Sequence, residues 1–98
     1  MASPEKINEW KEKYGSIYKT TIGGNEYIFR TMDRTTYLEI LAKQTILENF
    51  DNDLEVFKAC VLNSYQEADL TTKAGIVSVI SEKIMIASGF ELTETEEL

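Results

Sequence analysis

One stretch limits the possible folds more than any other. From Ile17 the side chains alternate, with Tyr18, Thr20 and Ile22 on one side and Ile17, Lys19 and Thr21 on the other. Gly23-Gly24-Asn25 then offers residues that tolerate positive φ, and Tyr27-Ile28-Phe29-Arg30-Thr31-Met32 resumes with β-branched and aromatic side chains. Period-two alternation on both sides of a two-glycine reversal predicts a β-hairpin. Two strands alone are marginal in water, so one face of the hairpin has to be covered by helices from the same chain.

Helical grammar surrounds the hairpin. Ser3-Pro4-Glu5 reads as a helix start, and Ile7, Trp10 and Tyr14 follow at i, i+3 and i+7 before Gly15 stops the run. Asp33 reads as an N-cap for a helix that carries Tyr37, Leu38, Ile40 and Leu41 and continues to Ile46 and Leu47. After a break at Asn49 to Asn52, a third helix starts near Asp53 with Leu54, Phe57, Cys60 and Val61 as its inner stripe and Tyr65 at its margin. Residues 63–73 read as a polar loop, and a fourth helix spans about Ala74 to Ser88, closed by Gly89 with Phe90 folding back onto its last turn. The expectation is an α+β domain: N-terminal helix, one antiparallel β-hairpin, then three helices packed on it. Residues 1–90 form one globular unit, and 91–98 an acidic flexible tail that frays after Phe90.

At 98 residues there is room for one core. The net charge of −7 opposes nucleic acid, whose binding begins with a positive field. Much of the excess lies in the tail, at Glu91, Glu94, Glu96 and Glu97. No apolar run approaches the roughly 20 residues that span a bilayer, and residues 1–10 lack the apolar stretch of a signal peptide, so the reading is a cytosolic chain with no membrane partner.

The chemistry that could make this an enzyme is thin. The chain has no histidine and a single cysteine, Cys60, read as a buried inert thiol among Phe57, Val61 and Leu62. Asp51, Asp53 and Glu55 imitate the opening of a calcium loop, yet Val56 stands where the turn glycine belongs and Leu62 where the bidentate glutamate belongs. Those acids suit a helix N-terminus instead. Gly23-Gly24 lacks the lysine of a phosphate cradle. Nothing in their spacing pairs Glu26, Glu39, Glu48 or Glu82 as acid and base, and Ser64, Ser78, Ser81 and Ser88 have no base to activate them. The expectation is a protein that is not an enzyme, with no catalytic residue, cofactor or metal.

The feature left over is the fourth helix. At about 100° per residue, Ile76, Val77, Val79, Ile80, Ile84, Ile86 and Ala87 cover an arc of roughly 180°, wider than one packed face needs. Lys83 interrupts the arc, and Met85 projects from the other side. Either the helix is central, wedged between hairpin and another helix, or part of the arc is a groove for a partner helix or a second copy of the chain. Tyr14, Tyr18, Tyr27, Tyr37 and Tyr65 offer further contact area, at a core edge or in a binding surface. The candidate partner-binding residues are Ile76, Val79, Ile80, Ile86, Met85 and Tyr37.

The run Trp10-Lys11-Glu12-Lys13-Tyr14-Gly15-Ser16-Ile17-Tyr18, then Ile22-Gly23-Gly24-Asn25-Glu26-Tyr27-Ile28-Phe29-Arg30 and Arg34-Thr35-Thr36-Tyr37, resembles small proteins of tailed-bacteriophage tail modules. These are tail assembly chaperones and related baseplate assembly factors. The likeness continues through Cys60-Val61-Leu62, Ala74-Gly75-Ile76 and Ser88-Gly89-Phe90. It implies transient binding of another phage protein, a long helical tail protein, in the host cell cytoplasm, with homo-oligomers possible. The alternatives are a structural tail or baseplate subunit retained in the virion, or a host-directed inhibitor.

Overall fold

The computed structural model describes residues 3–90 and 96–98; the expected flexibility of 91–95 lies outside the described residues. Helix α1 spans Pro4–Tyr14, strands β1 and β2 span Ile17–Ile22 and Asn25–Arg30, and four helices follow: α2 Arg34–Ile46, α3 Asn52–Cys60, α4 Glu67–Thr72 and α5 Gly75–Ala87. The α+β architecture is as expected, with one addition. Residues 67–72, read as loop, form the short helix α4. Leu70 is its one buried apolar side chain, too little to leave a periodic signal.

The hairpin pairs antiparallel, Tyr18 opposite Phe29 and Thr20 opposite Tyr27. Gly23 and Gly24 sit at φ of 56° and 83°, both positive, as a two-residue turn matching the twist of its strands requires. Tyr27 and Phe29 face the core, and Tyr18 stacks on Phe29 with centroids 5.8 Å apart. On the opposite face Lys19 and Glu26 form a diagonal ion pair at 3.6 Å.

The outer edge of β2 is closed by the chain leaving α3. Leu62 N–H donates to Ile28 O at 2.8 Å, and Phe29 forms an isolated bridge with Val61. Asn63 completes the closure. Its Oδ1 accepts from Ile28 N–H and its Nδ2 donates to Glu26 O, each at 2.8 Å, so one side-chain amide satisfies two backbone groups.

The helices are capped largely as the residues dictate. Ser3, Asp33 and Asp51 each accept from the backbone N–H three residues on. Asp51 therefore does the work of a helix start. Val56, the residue that spoils the calcium-loop pattern, is a core side chain. At the far end of α5, Phe90 N–H bonds Met85 O and Gly89 N–H bonds Ile86 O, with Gly89 at φ 97°. That double closure satisfies carbonyls the helix would otherwise leave open. The Phe90 ring meets Tyr37 of α2, with centroids 5.1 Å apart.

The core lies between α3 and α5 with the hairpin across one end: Val56, Phe57 and Cys60 against Ile76, Val77, Ile80 and Ile84, with Tyr27 and Phe29 from β2. Ser88 anchors the start of the β2 to α2 connection, accepting from Met32 N–H at 2.8 Å and donating to Ile84 O at 2.6 Å. Helix α1 packs on β1 and buries no residue completely; Tyr14 is held by the Arg30 guanidinium, 5.3 Å from its ring centroid.

Candidate partner-binding faces

The wide apolar arc of α5 divides into two parts. Ile76, Val77, Ile80 and Ile84 are sealed against α3 and the hairpin, and Ser81 joins them on that side. Val79 and Ile86 stay outside at 39% and 41% exposure. They lie seven residues apart, which puts them within about 20° of each other on the helix surface. Lys83 projects between them from an exposed position. Helix α5 is thus central and also keeps an apolar edge in solvent.

The structure corrects the candidate set accordingly. Ile76 and Ile80, at 3% and 0% exposure, have no surface to offer a partner, because their whole side chains are spent on the core. Met85 is half-buried and packs against the core cluster. Tyr37 is also half-buried, with the Arg34 guanidinium 5.4 Å from its centroid and Phe90 on the ring. Val79 and Ile86 are the most exposed of the six.

A second apolar face, on α2, was not singled out from the sequence. Only Ile40 of this helix is buried, against α3. Leu38 lies about 160° round the helix from Ile40, and Ile46 about 120° on the same outward side. They are 48% and 79% exposed, and Leu47 just past the helix end is 53% exposed. The signal was present in the crowding of Tyr37, Leu38, Ile40 and Leu41, which no single stripe can accommodate. Scattered single apolar residues are ordinary on a surface; here Leu38 in the second turn, Ile46 at the last helical position and Leu47 just beyond it leave three large aliphatics of one segment in solvent.

Reactive groups do not converge on either face. Burial pushes the Cys60 thiol up to about 11, with the Arg30 charge opposing and the Asp33 charge adding to the rise. It is a packing side chain. Lys43 and Glu55 tie α2 to α3 across the solvent side at 3.4 Å. Among the described residues no helix is long and apolar enough to cross a membrane, and no group of three or more His, Cys, Asp or Glu is placed to hold a metal ion.

No protein-family model matches the chain, and no curated protein or solved structure matches it.

Proposed function

We propose that this protein is a non-enzymatic protein-binding factor acting in bacteriophage tail or baseplate assembly, as a chaperone or adaptor. The observation that carries the binding role is the outward apolar surface of Leu38, Ile46 and Leu47, with Val79 and Ile86 as a second strip. Apolar side chains set at helical spacing suit the apolar face of a partner helix, and a long helical tail protein is rich in such faces before it assembles. The place in phage assembly rests on the sequence resemblance alone.

The two apolar faces are tested by Leu38→Glu/Ile46→Lys and Val79→Glu/Ile86→Lys variants co-expressed with the candidate tail protein. Retained folding with lost co-purification supports the reading. Unchanged co-purification with both pairs altered overturns the docking faces. Mass analysis of purified particles decides the role: absence of the chain fits a chaperone, and a fixed copy number fits a structural subunit of the virion.

A further inference from the structure

The two edges of the hairpin end differently. On β2 the outward backbone groups are those of Glu26 and Ile28, which take the bonds from Leu62 and Asn63. In an antiparallel pair, residues that turn their N–H and C=O outward face one another in the non-hydrogen-bonded positions. Thr21 stands opposite Glu26 and Lys19 opposite Ile28, so the backbone groups of Lys19 and Thr21 point outward from β1. By alternation those of Ile17 do too. Among the described residues none of them meets another backbone group.

No proline or bulge interrupts Ile17–Ile22, which pairs one to one with Asn25–Arg30. Lys19 is the only charged residue of the strand, and its ammonium is drawn away from the outer edge, diagonally back over β2 to Glu26 at 3.6 Å. Lys19 and Thr21 are exposed, and Tyr18, stacked on Phe29 on the core face, keeps 44% of its surface in solvent. A row of alternating backbone donors and acceptors is complementary to the edge of another extended strand.

The residues of β1 suit the same strand in a second copy, and in one register above the others. A two-fold axis at Thr20 sets Lys19 opposite Thr21 of the second copy, and Thr21 opposite its Lys19, each pair exchanging both backbone bonds. On the core face Thr20 then meets Thr20, and Tyr18 meets Ile22 of the second copy. A threonine pair and an aromatic against a β-branched side chain are both favourable across strands. Moving the axis to Lys19 keeps the backbone bonds but sets two lysines directly opposite, which is unfavourable. Axes at Tyr18 or Thr21 cut the overlap to Ile17–Lys19 or Thr20–Ile22.

We propose that two copies of this chain join β1 to β1 in the register centred on Thr20, forming a four-stranded antiparallel sheet about a two-fold axis. Charge selects that register, and the register matches side chains on the core face, which an unrelated strand would meet only by chance. A contact confined to one strand edge buries less than the roughly 1,000 Å² of a stable interface, so the dimer is a weak one. It uses neither the apolar face of α2 nor that of α5 and does not depend on the role in phage assembly.

The test is sedimentation of the full chain from about 0.01 to about 1 mM, a range suited to weak association, with amide hydrogen exchange followed by NMR over the same range. The expected result is a monomer–dimer equilibrium in which exchange at Lys19 and Thr21 slows as concentration rises, while Tyr18 and Thr20, already bonded within the hairpin, change little. Thr21→Pro removes an outward N–H that has no partner in the monomer, so it should keep the circular dichroism spectrum and weaken the dimer about tenfold. Thr20→Cys should oxidise to a cross-linked dimer faster than Lys19→Cys, because only the former sits opposite itself at disulfide distance. Leu38→Glu/Ile46→Lys should leave association unchanged. A chain that stays monomeric at about 1 mM overturns the proposal, at a concentration where even weak contacts assemble. So does association that leaves the Lys19 and Thr21 amides unprotected, or that is lost in Leu38→Glu/Ile46→Lys and kept in Thr21→Pro.

Discussion

The guanidinium of Arg30 donates twice to the carbonyl oxygen of Ala59, from Nε at 3.3 Å and from Nη2 at 3.1 Å. That carbonyl belongs to the last turn of α3, where backbone acceptors lack helical partners and the dipole favours a cation. The same guanidinium covers Tyr14, so one side chain of β2 ties α1 and α3 to the hairpin. Arg30→Gln is expected to cost about 1.5–3 kcal/mol in urea unfolding, since charged hydrogen bonds are worth that much. Arg30→Lys should recover only part, lacking the planar fork.

Asn63→Ala removes both partners of the β2 edge at once. Ile28 N–H is left without its acceptor in a part-buried place, and Glu26 O without its donor. The expected loss is about 1–3 kcal/mol by chemical denaturation. Faster hydrogen exchange at Ile28, with Phe29 less affected, is the local signature.

The division of α5 into sealed and open sides predicts unequal costs for its aliphatics. Ile80→Ala should destabilise by about 2–5 kcal/mol, because a fully enclosed side chain leaves a cavity. Val79→Ala and Ile86→Ala should fall within about 1 kcal/mol of the parent. Equal costs at Ile80 and Val79 in thermal unfolding would contradict the observed sidedness.

The α2 cap makes stability sensitive to acid. The Thr36 backbone N–H holds the Asp33 carboxyl below its usual range, aided by the Thr36 side chain and by the Arg30 charge, while slight desolvation opposes. A carboxyl lowered on folding stabilises above its ordinary value of 3.8, and that contribution disappears as pH falls from there through the folded value. Asp33→Ser keeps a cap acceptor but removes the titration. Its unfolding midpoint should therefore change less than the parent's between pH 5 and acid, by circular dichroism, at roughly the acidic range in which paired carboxylates titrate.

Cys60 should resist alkylation by iodoacetamide near neutral pH in the folded protein and react once urea opens the core. Its burial and its value of about 11 both keep thiolate scarce. Mass spectrometry across the unfolding transition checks this, and the labelling midpoint should coincide with that of circular dichroism.

Much of this architecture could be read from the residues. The Gly23-Gly24 reversal between alternating runs, the Ser3 and Asp33 caps and the Gly89 stop rest on local chemistry, which a single sequence displays in full. Helix α4 escaped because Leu70 alone gives no period. The binding candidates were only half legible for a related reason. A wheel shows which residues of α5 are apolar but not which flank α3 occupies, so Ile76 and Ile80 could not be told from Val79 and Ile86.

The closure of β2 by Leu62 and Asn63 sets the valence of the hairpin. With one margin plugged, strand addition is left to β1, whose backbone has no outer partner among the described residues. A sheet with one free margin can take on one further strand, so two copies joined β1 to β1 would exhaust each other. Growth into a fibre through this sheet would need a second free margin, and on β2 that margin is taken up at Ile28 and Glu26 by Leu62 and Asn63.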